Sequence, residues 1–335
     1  MRPRSHGARA KAGEFALIAR FVRAVPVHGR GVAVGPGDDA AVLGLAPGEE
    51  LVATVDAVVE GVHLDRRATP DDAGWKALAV NLSDLAAMGA RPLWALVALG
   101  LPAGTPDAAV RGLARGLGAC ARAHGVAVVG GNVSRARDLS VTVTALGAVP
   151  AGRAVLRSGA RPGDLVAVTG TVGDAALGLR RGAARALVRR QRRPTPRTAA
   201  GLALAGLVRA AVDVSDGLAQ DLGHLCEASG VGARIGLGEL PLSPAYRRAA
   251  RRLADPWAPA LAGGEDYELV VAVAPASLPA ARAAAARART PLTVIGRFVR
   301  GTGVRVVGPR GEPVSVPAGH DHLRRRPLGG KRPGV

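Results

Sequence analysis

Cysteine, lysine and aromatic residues are all scarce in this chain. Cys120 and Cys226 are the only cysteines, too few for a disulfide framework or a cysteine-ligated zinc site, and in keeping with a reducing compartment. Trp, Tyr and Phe together make up 2% of the 335 residues. No apolar run is long enough to span a membrane. The basic start, MRPRSHGARAKAGEF, has no apolar core of the secretory type, so the expected location is the cytoplasm. Lysine occurs only at positions 11, 76 and 331, so the net charge of +19 is almost wholly arginine. Apart from the runs at 180–193 and 324–326 the arginines are scattered. No helix-turn-helix, zinc-finger or RNP pattern accompanies them. The charge reads as a compositional bias, and no specific nucleic-acid partner is expected.

Several catalytic designs are missing as well. There is no GxxxxGK[ST] phosphate loop, no G-x-G-x-x-G after a strand, no protein-kinase motif set, no G-x-S-x-G and no H-E-x-x-H. Nucleotide chemistry, if present, must use another site.

What is present is a length suited to two domains and a chain that is 48% hydrophobic. Residues 71–92, DDAGWKALAVNLSDLAAMGARP, carry apolar side chains at helical spacing, and Gly89 and Pro92 close the helix. Asn81 and Asp84 lie three apart and share one side of it. The simplest reading of this segment is a buried helix with one solvated edge. Strands are expected at 51–64, 93–99, 126–129, 139–147 and 165–169, and helices at 14–25, 106–124, 173–190 and 198–209. Residues 191–197, QRRPTPR, read as a basic, proline-broken linker. The loop-rich texture of 150–162 places a domain boundary there, giving domains 13–150 and 151–323 with basic tails at 1–12 and 324–335.

Five times a short apolar strand runs into a small turn bearing acids or amides: GDD with Asp38 and Asp39, TVD with Asp56, GGN with Asn132, DVSD with Asp213 and Asp216, and GGED with Glu265. Taken singly, each is as well explained by a solvated turn or a helix cap. Likewise His63 alone reads as a packed or surface histidine. Five such turns in a chain with 26 acids against 45 bases suggest that carboxylates are gathered. Hard oxygen ligands of this kind suit Mg²⁺ and a polyphosphate.

In order along the chain stand GEF, GPGDDAAV, VDAVVEGVH, WKALAVNLSDLAAMGARP, GGN with TVTALG, RSGARPGD, VTGTVGDAALGL, RPTPR, DVSDGLAQDLGHL, GGEDYEL and GHDHL. Over nearly the whole chain this series resembles the thiamine-monophosphate kinase family, in the superfamily of aminoimidazole-ribonucleotide synthetase, selenophosphate synthetase and the hydrogenase-maturation dehydratase. The sister enzymes are the alternative. Selenophosphate synthetase normally carries a reactive N-terminal cysteine or selenocysteine, absent here, the hydrogenase-maturation enzyme ends in cysteine where this chain ends in Pro-Gly-Val, and aminoimidazole-ribonucleotide synthetase is set apart by no single residue.

The resemblance implies a two-domain α/β (α+β) fold, with an N-terminal α/β domain that pairs through its sheet into a homodimer and a C-terminal α/β domain. It implies an enzyme that makes thiamine diphosphate from thiamine monophosphate and ATP with several Mg²⁺ ions. By motif position, Asp38, Asp39, Asp56, Asp84, Asp213 and Asp216 would hold Mg²⁺, with Asn132 where the family usually has aspartate. Gly130, Gly131, Arg157 and Ser215 would meet ATP, Arg157 as charge stabiliser. His63, Glu265 and His320 would meet thiamine monophosphate, His320 standing where the family usually has an aromatic. No residue is expected to act as general base, because a phosphate acceptor is already anionic.

Overall fold

The computed structural model describes residues 14–65 and 67–315. The first half contains α1 (Glu14–Ala24), β1 (Val32–Val34), β2 (Val42–Leu43), β3 (Glu49–Val59), α2 (Pro70–Ala87), β4 (Arg91–Leu101), α3 (Asp107–His124), β5 (Ala127–Arg135) and β6 (Ser140–Pro150). The second half contains β7 (Leu165–Thr169), α4 (Asp174–Gly178), α5 (Arg185–Arg192), α6 (Thr198–Leu204), β8 (Ala210–Asp213), α7 (Leu218–Ser229), β9 (Gly232–Gly236), α8 (Pro244–Ala250), α9 (Ala258–Ala262), β10 (Leu269–Val273), α10 (Leu278–Arg287), β11 (Leu292–Val299), β12 (Gly303–Val307) and β13 (Pro313–Val314).

Each half is built on its own sheet. The first has the order β3-β6-β4-β5, with β4 and β5 parallel across the α3 crossover and the other pairs antiparallel. The second is seven-stranded, β13-β12-β9-β11-β7-β10-β8, and only β9 and β12 run parallel in it. Its central strands β7 and β10 are buried at every residue, as continuous apolar runs covered on both faces should be. Strand β3 differs: Leu51 and Val55 stay 52% and 60% exposed at the edge of the smaller sheet.

Helix α2 stands between the halves. Thr69 caps it, its side chain accepting from the Asp72 amide while Asp72 accepts from the Thr69 amide. It packs against β3, β6 and α3 on one side and α6 and β8 on the other. All its residues except Pro70, Asp71, Trp75 and Asp84 are buried. The expected solvated edge is therefore an interface with the second half. The approach to α6 is so close that a Cβ on Gly201 would meet the Ala86 carbonyl oxygen at 2.1 Å.

Four local expectations change. The helix expected over 173–190 is two helices, α4 and α5, broken by a turn in which Gly182 has φ +70°. The strand expected over 51–64 ends at Val59, and 60–64 forms a turn closed by a hydrogen bond from the Gly61 amide to the Leu64 carbonyl. Gly130, Gly131 and Asn132 do not follow a strand but lie inside β5, paired with Leu96, Val97 and Ala98 of β4. A Cβ on Gly131 would meet the Val97 carbonyl oxygen at 1.9 Å, so strand contact itself demands glycine. Lastly, the basic linker is an ordered strap. Gln191 is buried, Arg193 pairs with Asp72 at 2.6 Å, and the Pro194 carbonyl accepts from the Trp75 indole at 2.8 Å.

Candidate active site

Between the two halves lies a cleft of ≈ 1710 Å³. One small ligand typically occupies about 300–1,000 Å³, so this volume admits two substrates together. Asp56 from β3, Asp84 from α2, Asp213 from the end of β8, and Arg157, Ser215 and Asp216 from connecting segments all line it. His63, Glu265 and Tyr267 line it too. The acids of three of the five expected turns thus meet with Asp84 around one cavity.

Asp38, Asp39, Gly130, Gly131 and Asn132 are not among the lining residues. Asp38 and Asp39 sit exposed between β1 and β2, and the Asp38 carboxylate accepts from the Asp39 amide at 2.9 Å. Gly131 and Asn132 are exposed on β5. His320 lies outside the described residues, as do both tails.

Asp84 and Asp213 both line the cleft, close enough to repel each other. Thr54 donates to Asp84 at 2.6 Å, and Ser83 donates to Asp213 at 2.7 Å from the other half of the molecule. Burial raises the Asp84 carboxyl above its usual range, opposed by Thr54 and by the Arg157 charge. Asp213 is pushed up to about 8, first by burial and then by repulsion from Asp84. Hydroxyls alone do not neutralise two anions, so a cation between them would relieve both effects.

The loop carrying Ser215 and Asp216 is shaped by a residue the sequence did not single out. One oxygen of Asp221 accepts from the Ser215, Asp216 and Gly217 amides at 3.0, 3.0 and 3.1 Å. Burial nevertheless lifts Asp221 to about 7. The available signal was its place in the first turn of α7, where an acid caps free amides.

The acids of the GGEDYEL segment are already paired. Lys76 Nζ donates to Glu265 Oε1 at 2.6 Å, and Gln191 Nε2 donates to Glu265 Oε2 at 3.1 Å. Glu268 is fully buried and accepts from Arg190 at 2.7 Å and from both Nε and Nη2 of Arg197 at 2.6 Å. Asp266 accepts the Gly173 and Ala175 amides at the start of α4. So of the three acids in GGEDYEL, only Glu265 reaches the cleft. His63 Nδ1 accepts from the Val59 amide at 3.2 Å, which leaves the ring proton on Nε2.

The chain matches AIR synthase related proteins, the N-terminal domain over residues 37–149 and the C-terminal domain over 161–308. The two matches fall one on each sheet-built half of the molecule. Within it, the thiamine-monophosphate kinase of Escherichia coli strain K12 is 41% identical over 323 residues, covering 93% of this chain and 98% of that protein. The crystal structure of thiamine-monophosphate kinase from Stenotrophomonas maltophilia K279a superposes with a TM-score of 0.78 at 41% identity, covering 89% of this chain and 95% of that one. The structure of AaThiL complexed with AMPPCP and TMP gives 0.74 at 34% identity, over 93% and 97%. The chain belongs to the thiamine-monophosphate kinase family.

Proposed function

We propose that this protein phosphorylates thiamine monophosphate with ATP, giving thiamine diphosphate and ADP. The family membership carries the reaction, and one observation supports this cleft as its place: Asp56, Asp84, Asp213 and Asp216 line the same cavity as His63 and Glu265. Arg67, Arg180 and Arg181 add positive charge along the same cleft, which suits two anionic substrates.

The donors fit Mg²⁺. They are hard carboxylate oxygens, with no thiolate among them. Among the described residues no three His, Cys, Asp or Glu side chains gather tightly enough to hold one ion unaided. Each ion would then take one or two carboxylates and complete its shell with water and phosphate oxygens, the usual habit of Mg²⁺. Asp56, Asp84, Asp213 and Asp216 are the residues we assign to it. Bound there, Mg²⁺ would screen the repulsion between donor and acceptor phosphates.

The chain's own part is to orient and to stabilise. An oxygen of the acceptor phosphate forms the new bond to the γ-phosphorus of ATP. The bond from that phosphorus to the bridging oxygen breaks, and its electron pair leaves with ADP. No proton need be removed from the acceptor. Arg157, whose charge is felt by both Asp84 and Asp213, would stabilise the charge that grows on the transferring group. Ser215, held by the Asp221-clamped loop, would contact ATP. Asp38, Asp39, Gly130, Gly131, Asn132 and His320 keep the roles that family position gives them, and support from the cleft geometry is confined to the others.

We also assign the exposed edge of the smaller sheet, with Leu51 and Val55, to a homodimer contact. Changing both to Asp should convert a dimer to a monomer in light scattering. An unchanged mass would remove β3 from the interface. The reaction itself is tested by incubating the protein with ATP, Mg²⁺ and thiamine monophosphate and weighing the products. Equal amounts of thiamine diphosphate and ADP are expected, and ADP without thiamine diphosphate would refute the proposal.

A further inference from the structure

Lys76 is the only lysine among the described residues, and it is 0% exposed. A buried ammonium is costly unless every donor finds a partner. Lys76 Nζ donates to the Glu265 carboxylate at 2.6 Å and to the His63 carbonyl at 2.8 Å. Gln191, 2% exposed, donates to the other Glu265 oxygen at 3.1 Å and reaches the same His63 carbonyl at 3.5 Å. Four separate pieces of chain therefore meet at one point: α2, α5, the 60–64 turn and the Gly-Gly-Glu-Asp loop. Two of them bring the residues assigned to thiamine monophosphate.

The backbone shows why such a clamp is needed. Glu265 has φ +69° and Tyr267 φ +52°. Two non-glycine residues in the left-handed region within three positions persist only where the surroundings over-determine them. The Glu265 amide donates to the Ser215 carbonyl at 2.8 Å and the Tyr267 amide to the Val214 carbonyl at 2.9 Å, which fixes the main chain. Lys76 and Gln191 fix the side chain.

We infer that Lys76 and Gln191 are positioning residues of the acceptor subsite, which set the Glu265 carboxylate and the His63 turn as one unit toward thiamine monophosphate. The inference rests on the proposed function and on Glu265 and His63 as its substrate contacts. A carboxylate offers about four lone-pair sites, and Lys76 and Gln191 occupy one on each oxygen. The remaining sites accept N–H donors of the substrate's aminopyrimidine. The ammonium also cancels the Glu265 charge, so the subsite presents a directed acceptor rather than an anion that would repel the substrate's phosphate. An ion pair serving only stability would not distinguish the two substrates. A clamp on the acceptor subsite would.

The test is steady-state kinetics of the full chain, varying each substrate while the other saturates. Lys76→Met and Gln191→Leu should each raise KM for thiamine monophosphate about tenfold, with KM for ATP within about twofold of wild type. A folded variant whose KM for thiamine monophosphate is unchanged, or in which both KM values rise together, overturns the inference. Should Lys76→Met fail to fold, Gln191→Leu decides alone. A wild type that forms no thiamine diphosphate overturns the proposed function itself, which separates the two failures.

Discussion

Two groups of acids in and beside the cleft are handled in opposite ways. In the first, Asp84 and Asp213 are partnered by hydroxyls, and their carboxyls are raised by burial and, for Asp213, by mutual repulsion. In the second, Glu265 in the cleft and Glu268 buried behind it each meet cations that the chain itself supplies, Lys76 for Glu265 and Arg190 and Arg197 for Glu268. Where the chain pairs its own carboxylate, the acid fixes structure. Where it withholds a counter-ion, the acid is available to a cation from solution.

The sharpest way to break this comparison is to neutralise an acid in each group. Asp84→Asn or Asp213→Asn should lower kcat about a thousandfold, the scale of metal-held charge stabilisation. Thermal stability should stay level or rise, since a like-charge contact is relieved. Full activity in either variant would take that residue out of the metal site. Glu268→Gln should do the reverse in kind, costing about 3 kcal/mol of stability in denaturant unfolding by stranding Arg190 and Arg197. A stability loss near zero would show that those arginines resolvate freely.

A gentler probe is the pH dependence of stability. Asp213 has a folded pKa of about 8, above its unfolded value. Between those two values the folded state binds a proton that the unfolded state has lost. Stability of the metal-free protein should therefore fall as pH rises toward about 8 and level off above it. Asp266, pushed up to about 8, and Asp221, pushed up to about 7, add to the same slope, so Asp213→Asn should lessen it without removing it, and an identical slope in the variant would take Asp213 out of it. Ser83→Ala should have the smallest effect, about 1 kcal/mol, from one hydrogen bond across the two halves. A loss of zero would mean that water replaces the hydroxyl.

Much of the site can be read without coordinates. The acids at 56, 84, 213, 216 and 265 stand out because each ends an apolar run or interrupts a helix, where a charge without a task is expensive. They do line one cleft. Thr54, Ser83, Lys76, Gln191 and Asp221 do not stand out, since each is an ordinary polar residue for its element. Their roles arise from partners as distant in sequence as Asp213 for Ser83 and Glu265 for Lys76. The GGN segment misleads for a related reason. Two glycines signal either a phosphate turn or close strand contact, and only the parallel pairing of β4 with β5 selects the second within one copy.

The sequence by itself determined the elements with strong periodicity, the family, and the five acid-bearing turns, because these follow from local pattern and residue chemistry. Only the tertiary structure decided that α2 is packed between the two halves, that the basic 191–197 segment straps the halves together, and which acids acquire a cation within the chain. Burial and long-range pairing are properties of the assembled surfaces. No window of sequence records whether a carboxylate will find an arginine more than seventy residues away, as Glu268 does with Arg197, or be left facing another carboxylate, as Asp213 is with Asp84.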